Sequence, residues 1–173
     1  MKKLPKLIVT DIDGVWTDGS MYYSAEGDVM RRFNTSDSAG VFFAKLMGIP
    51  VVVLSGELTE ITRKRTEKLK IEYVFLGVKN KLNVLENLLH ELNVDWEEVA
   101  YIGDDVNDMG IFRHAGFTAA PAQAPEYIKL MVDYITEHKG GEGAFREFVE
   151  EIFKRSGQWE ELMKKVGNHF EEK

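Results

Sequence analysis

The chain has 173 residues, 44% of them hydrophobic, a length and apolar content that suit one packed domain. A formal net charge of −7 argues against a nucleic-acid partner, which requires a cationic surface to displace counterions from phosphates. There is no cysteine, so disulfides, thiolate metal sites and cysteine nucleophiles drop out together, and no run approaches the ~18 apolar residues of a membrane span, so a soluble, cytoplasmic protein is expected.

Leu7-Ile8-Val9-Thr10 reads as a short β-branched strand that stops at Asp11-Ile12-Asp13-Gly14, where polar residues and glycine end it. Ser20 to Tyr23 and Val29 to Phe33 read as the arms of a hairpin around Ser24-Ala25-Glu26-Gly27-Asp28. Its Met21, Tyr22 and Tyr23 are most simply packing residues, at a subunit interface if not within the chain. Ser36 or Asp37 can cap a helix through Ala39, Phe42, Phe43 and Leu46 that closes at Gly48, and Pro50 to Leu54 forms a buried strand.

A basic helix over 59–69, a strand at Tyr73-Val74-Phe75 and a helix from Lys81 to Leu92 follow, the last with leucines at helical spacing. Asp95 and Glu98 stand in a capping-box relation ahead of the strand Val99-Ala100-Tyr101-Ile102, which ends at Gly103-Asp104-Asp105. Further helix and strand segments are predicted at 109–115, 117–120, 125–132 and 134–136. Gly140-Gly141-Glu142-Gly143 reads as a flexible joint before a helix carrying Phe145, Phe148, Val149, Ile152 and Phe153, and residues 158–173 repeat apolar residues at helical intervals.

Strands alternating with helices predict an α/β fold: a doubly wound, Rossmann-like parallel sheet with helices on both faces. Only a hairpin fits between Gly14 and Ser36, and only a helix and a short strand between Glu57 and Lys81, so no cap domain is expected. Residues 1–155 should form the domain and 156–173 a helical extension rather than a second one.

The polar residues at the strands' carboxyl ends carry the chemistry. A doubly wound sheet brings Asp11, Asp13, Ser55, Lys81 and the Asp104/Asp105/Asp108 group together at the end where such folds bind ligands. So many carboxylates repel one another unless a hard cation neutralises them, and oxygen ligands suit Mg2+. A lysine and a hydroxyl in the same group suit phosphoryl oxygens. Asp11 then serves as nucleophile and Asp13 as proton donor to the leaving alkoxide and later acceptor from water, while Lys81 and Ser55 hold the phosphoryl group. Asp11, Asp13 and Asp104 are the expected metal ligands, with Asp105 and Asp108 fixing water ligands or Lys81 behind them.

The Asp11-Ile12-Asp13-Gly14-Val15, Leu54-Ser55-Gly56, Lys81 and Gly103-Asp104-Asp105-Val106-Asn107-Asp108 series resembles the four motifs of the haloacid dehalogenase superfamily. Three further segments resemble its 3-deoxy-octulosonate 8-phosphate phosphatase family over roughly residues 6 to 153: 13–19, Phe33-Asn34-Thr35-Ser36-Asp37-Ser38-Ala39-Gly40, and the run from Gly140 to Glu147. Thr35-Ser36-Asp37 and Ser55-Gly56-Glu57 depart from the usual octulosonate pattern and are closer to the branch acting on 2-keto-3-deoxy-nononate 9-phosphate.

That resemblance implies a small sugar acid phosphate as substrate and Glu57, Arg65 and Lys68 as substrate-selecting positions. Gly14 and Gly103 would permit close backbone approach, and Gly14, Gly56 and Arg146 are further candidate substrate contacts. It also implies a homotetramer in which hairpins form a central barrel and a neighbour closes each site, so that Arg65 and Lys68 act across a subunit boundary. An uncapped cleft leads to the same expectation of closure by a partner. A phosphotransferase or mutase on the same fold, and a receiver-like signalling module, are the alternatives. The receiver fits less well, because Ser55 stands where its acceptor aspartate would be.

Overall fold

The computed structural model describes residues 3–171; Met1, Lys2, Glu172 and Lys173, the extreme ends of the two expected segments, lie outside the described residues. In chain order the main elements begin with strand β1 (Leu7–Thr10), the hairpin strands β2 (Tyr22–Ser24) and β3 (Gly27–Met30), and helix α1 (Ser36–Leu46). Next come β4 (Val51–Leu54), α2 (Glu60–Lys68), β5 (Tyr73–Phe75), α3 (Lys81–Leu92), β6 (Val99–Ile102), α4 (Met109–Phe112) and β7 (Phe117–Ala120). The chain ends with α5 (Glu126–Lys129), β8 (Tyr134–Ile135), α6 (Ala144–Arg155) and α7 (Trp159–Glu171).

Six strands form one sheet in the order β5-β4-β1-β6-β7-β8, with every pairing parallel. β1 lies between β4 and β6, so the chain turns outward on one side of β1, returns, and turns outward on the other. The crevice at that reversal opens beyond the carboxyl ends of β1 and β6. The hairpin forms its own antiparallel pair, and among the described residues no cap domain interrupts the sheet.

Both faces of the sheet are covered, and the alternation along each strand divides the core in two. Ile8, Val51, Val53, Ala100, Ile102, Phe117 and Ala119 pack with Val41, Phe43, Phe145, Phe148, Val149 and Leu162 of α1, α6 and α7. Leu7, Val9, Val52, Leu54, Val99 and Tyr101 pack on the other side with Leu85, Leu88 and Leu89 of α3, Ile111 of α4 and Ile128 of α5. Strands buried on both faces explain the continuous apolar runs of the sequence. Trp159, Met163 and Val166 of α7 join the first cluster, so the C-terminal helix lies on the body of the domain.

Local chemistry sets several boundaries. The Thr59 side chain accepts from the Thr62 amide at the start of α2, and the Asn80 side chain accepts from the Asn83 amide at the start of α3, each a cap contributing about 1 kcal/mol. The Asn80 cap makes Lys81 the first residue of α3, directly after the turn that follows β5. Asp95 and Glu98 form the expected capping box.

Two readings are corrected. Neither Ser36 nor Asp37 caps α1; the residue before the helix is Thr35, with no side-chain cap bond, and buried Asp37 accepts from the Arg146 amide at the start of α6. The 140–143 segment is not a flexible joint. The Gly140 amide donates to Gln123, the Gly141 amide donates to Val15, and the Gly141 carbonyl accepts from Arg32 and Asn34. A Cβ on Gly140 would collide with the Gly14 carbonyl, so glycine is what lets this segment brace the turn after β1. Among the described residues no helix is long and apolar enough to cross a membrane.

Candidate active site

The turn after β1 begins with Asp11, whose amide still donates to Ile102 of β6 and whose carboxylate accepts from the Ile12 amide at 2.7 Å. The Ile12 carbonyl then accepts the amides of Val15, Trp16 and Thr17, which curls the chain so that Asp11 and Asp13 both enter the crevice. Gly14 adopts a φ of 79°, and a Cβ there would run into the Asp104 carboxylate. Glycine is required on both counts.

Asp11 is almost wholly buried, and its carboxylate lies 2.7 Å from the Lys81 ammonium. Lys81 is also 2.8 Å from Asp108 Oδ1, so one buried cation bridges two buried anions. Asp108 spends both oxygens on four donors: Lys81, the Tyr101 hydroxyl at 2.5 Å, and the amides of Asp104 and Asp105 at 2.9 and 3.2 Å. A residue bonded in this way holds Lys81 and the loop after β6 in place.

One oxygen each from Asp11, Asp104 and Asp108 falls within 4.8 Å of the others. Burial pushes the Asp11 carboxyl up to about 7, with Asp108 adding to the rise and Lys81 opposing it. Burial, then Asp11 and Asp108, push Asp104 up to about 8. Burial alone would lower the Lys81 ammonium, but Asp11 and Asp108 together hold it above its ordinary value. Burial and the neighbouring Asp108 raise the Tyr101 phenol, which keeps it a proton donor. The donor set is all oxygen, crowded and one cation short of neutral, and this fits a hard divalent ion. Asp11 and Asp104 have carboxylate oxygens to offer it, whereas Asp108 is occupied.

Asp13 faces the same cleft as Asp11 and Asp104. Its carboxylate is outside that group of three; it accepts from Arg31 and lies 3.4 Å from the Ser55 hydroxyl. Buried Ser55 also accepts from the Glu57 amide at 3.2 Å, which shapes the loop after β4. Asp105 is exposed, and its side chain accepts from the Val106 amide at the start of the short turn over 106–108.

The cleft so formed holds about 320 Å³ and is lined by Asp11, Asp13, Gly14, Gly56, Glu57 and Asp104, with Gly19, Met21, Asp105 and Asn107 completing the wall. Size alone would point elsewhere, since a depression of about 540 Å³ lies between Leu4 and Val94, but it gathers no carboxylate. Three expected substrate residues do not line the cleft of their own chain. The Arg65 guanidinium donates to the Asn34 carbonyl and the Ser38 hydroxyl, and Lys68 is exposed on α2. Arg146 pairs with Glu150 at 2.8 Å beside a separate depression.

The sequence reading missed Arg31, Tyr101, Asn107 and Met21 as parts of this site. For Tyr101 a signal existed: a phenol inside an otherwise aliphatic strand needs a buried partner. For Arg31 the only hint was a charge following an apolar hairpin arm.

The comparisons with known proteins agree with the geometry. Residues 51–148 match the family of haloacid dehalogenase-like hydrolases. The 3-deoxy-D-manno-octulosonate 8-phosphate phosphatase of Haemophilus influenzae is 39% identical over 153 residues, which cover 88% of this chain and 85% of the relative. A cobalt-bound structure of the Haemophilus influenzae phosphatase superposes with a TM-score of 0.85 at 38% identity, covering 90% and 91% of the two chains. The enzyme of the same name from Moraxella catarrhalis, solved with magnesium, phosphate and KDO, gives a TM-score of 0.88 at 31% identity over 94% and 93%. The chain belongs to the haloacid dehalogenase-like hydrolases and, within them, to the 3-deoxy-D-manno-octulosonate 8-phosphate phosphatase family, and it is a phosphoric monoester hydrolase.

Proposed function

We propose that this enzyme hydrolyses the phosphate monoester of a 2-keto-3-deoxy sugar acid, by way of an aspartyl phosphate on Asp11. The observation that carries the reading is the buried Asp11 carboxylate held 2.7 Å from Lys81 at the floor of a cleft that Asp13 and Asp104 also line. Relatives whose names specify 3-deoxy-D-manno-octulosonate 8-phosphate support the substrate class.

An Asp11 oxygen attacks phosphorus while the bond from phosphorus to the sugar oxygen breaks, and Asp13 gives its proton to the departing alkoxide. Asp13 then takes a proton from water as the water oxygen attacks phosphorus, and Asp11 leaves as a carboxylate. Lys81 and Ser55 hold the phosphoryl oxygens through both steps. Lys81 can do so without drifting because Asp108 anchors it from behind. Asp11 and Asp104 would hold Mg2+, which when bound supplies the positive charge that lets an anionic nucleophile approach an anionic ester.

Glu57, which lines the cleft, reads the sugar. With Thr35-Ser36-Asp37 it favours the nine-carbon 2-keto-3-deoxy-nononate 9-phosphate over the eight-carbon ester. Closure is by a second subunit of a homotetramer: Met21, Tyr22, Tyr23, Val29 and Met30 leave the hairpin's apolar side in solvent in the single chain, and exposed Lys68 is free to reach a neighbour's cleft.

The test is kcat/KM with Mg2+ for a panel of eight- and nine-carbon keto acid phosphates, on the native chain and on Asp11→Asn. The nine-carbon ester should lead by about tenfold or more, and Asp11→Asn should release no phosphate from either. Equal values would remove the nine-carbon preference, and full turnover by Asp11→Asn would refute the covalent route.

A further inference from the structure

Arg31 is out of character with its surroundings. The hairpin that precedes it turns tyrosine, valine and methionine outward, yet the Arg31 side chain is 0% exposed. A buried guanidinium is tolerated only where its charge is met, and three carboxylates surround this one. Nε donates to Asp28 Oδ2 at 2.8 Å, Nη1 donates to Asp13 Oδ1, and Nη2 lies 3.9 Å from Glu57 Oε2. Nη2 itself has no hydrogen-bond partner, and neither has Asp28 Oδ1, although both are buried.

The three contacts differ in what they can accomplish. The bond to Asp28 stays within the hairpin segment and fixes the direction of the guanidinium. The bond to Asp13 leaves the hairpin and reaches the catalytic turn. Opposite it, the Ser55 hydroxyl lies 3.4 Å from the other Asp13 oxygen, so the carboxylate is held from two sides. Only Nη1 reaches Asp13, but with Nε fixed on Asp28 the rigid guanidinium plane sets the direction from which that bond arrives, which a freely rotating ammonium does not do equally well.

We propose that Arg31 is the positioning residue for Asp13: aimed by Asp28, it turns the Asp13 carboxylate so that one oxygen meets the leaving oxygen of the ester. The inference rests on the proposed role of Asp13 as proton donor. It assigns the hairpin a part in the reaction beyond covering the cleft, because the segment that packs outward also sets the proton donor's geometry. Misplacement of such a group by about 1 Å costs on the order of 10²-fold in rate.

Protonation of the leaving oxygen, the first of Asp13's two roles, has a signature that general loosening of the fold lacks, read in the release of the alcohol before water attacks the phosphorylated Asp11. Esters of sugar alcohols need a proton on the leaving oxygen, whereas p-nitrophenolate leaves without one. Arg31→Met, Arg31→Lys, Asp28→Asn and Asp13→Asn are compared with the native full-length enzyme in Mg2+, on a sugar acid phosphate and on p-nitrophenyl phosphate. In single-turnover release of the alcohol, Arg31→Met should slow the sugar ester by about 10²-fold and p-nitrophenyl phosphate by less than about threefold. Arg31→Lys should recover part of the loss, and Asp28→Asn, which leaves Asp13 and Arg31 in place, should show the same selectivity in smaller measure. In an Asp13→Asn background Arg31→Met should cost nothing further.

Equal slowing of alcohol release from both esters, or none from either, with Asp13→Asn still defective on the sugar ester, would overturn the positioning role and leave the phosphatase reading intact. Unimpaired turnover of the sugar ester by Asp13→Asn would instead overturn the proton-donor role beneath it. Should Arg31→Met fail to fold, Asp28→Asn carries the same comparison.

Discussion

The floor of the cleft and the hairpin beside it are built on opposite terms. On the floor, buried Asp108 bonds both Lys81 and Tyr101, which are buried as well, and the Lys81 ammonium sits between the Asp11 and Asp108 carboxylates. In the hairpin, Tyr23 is 64% and Val29 59% exposed, and the two strands pair only with each other. The floor is complete within one chain, whereas the hairpin is an apolar surface in want of a cover. Chemistry that depends on fixed charges occupies the part of the molecule that the fold itself locks, whereas the hairpin's apolar side chains are left in solvent within the single chain.

The largest expected effect comes from breaking the floor. Lys81→Met leaves Asp11 and Asp108 buried without their shared cation, so kcat should fall by about 10³-fold or more, and unfolding by denaturant should show a loss of about 3–5 kcal/mol. A variant that stayed stable and active would erase the contrast between the two regions.

A second, intermediate effect is the floor's response to pH and metal. Asp104, at about 8 in the folded chain against 3.8 for an ordinary aspartate, keeps its proton on folding between those values, so the folded state binds more protons there than the unfolded one. Stability of the metal-free protein should therefore fall as pH rises from about 4 to about 8, by at most about 1.4 kcal/mol per pH unit for this group. Mg2+ competes with that proton, so the rise in Tm that it gives should be larger at pH 8 than at pH 5. Thermal melts at the two pH values, with and without Mg2+, check both signs; a larger rise at pH 5 would remove Asp104 from the cation site.

The smallest effect belongs to the hairpin. Tyr23→Lys combined with Val29→Lys should leave the melting of the single chain nearly unchanged, since both side chains are exposed. It should shift sedimentation toward monomer and lower kcat/KM for the sugar acid phosphate by about tenfold, with p-nitrophenyl phosphate less affected. A native chain that sediments as a fully active monomer would end the case for closure by a neighbour.

The strands and most helix limits were legible because their causes are local. β-branched runs stop at Asp11, Ser55 and Gly103, and Asn80 caps α3 so that Lys81 opens it. The short helices α4 and α5 were read too long, because apolar spacing signals which residues face the core and not how many turns precede the next strand. Asp11, Lys81 and Asp104 could be grouped from sequence because a parallel sheet places every strand's carboxyl end at one edge.

What the order of residues determined by itself was therefore the sheet, its two covered faces and the polar residues collected at one end. Only the folded chain decided that Asp13 turns to Arg31 instead of joining the other carboxylates, that Tyr101 secures Asp108, that the 140–143 glycines brace the Gly14 turn, and that Arg65 and Arg146 bond within their own neighbourhoods. Those contacts depend on the direction of individual side chains, which burial and charge settle only after the backbone has brought the partners together.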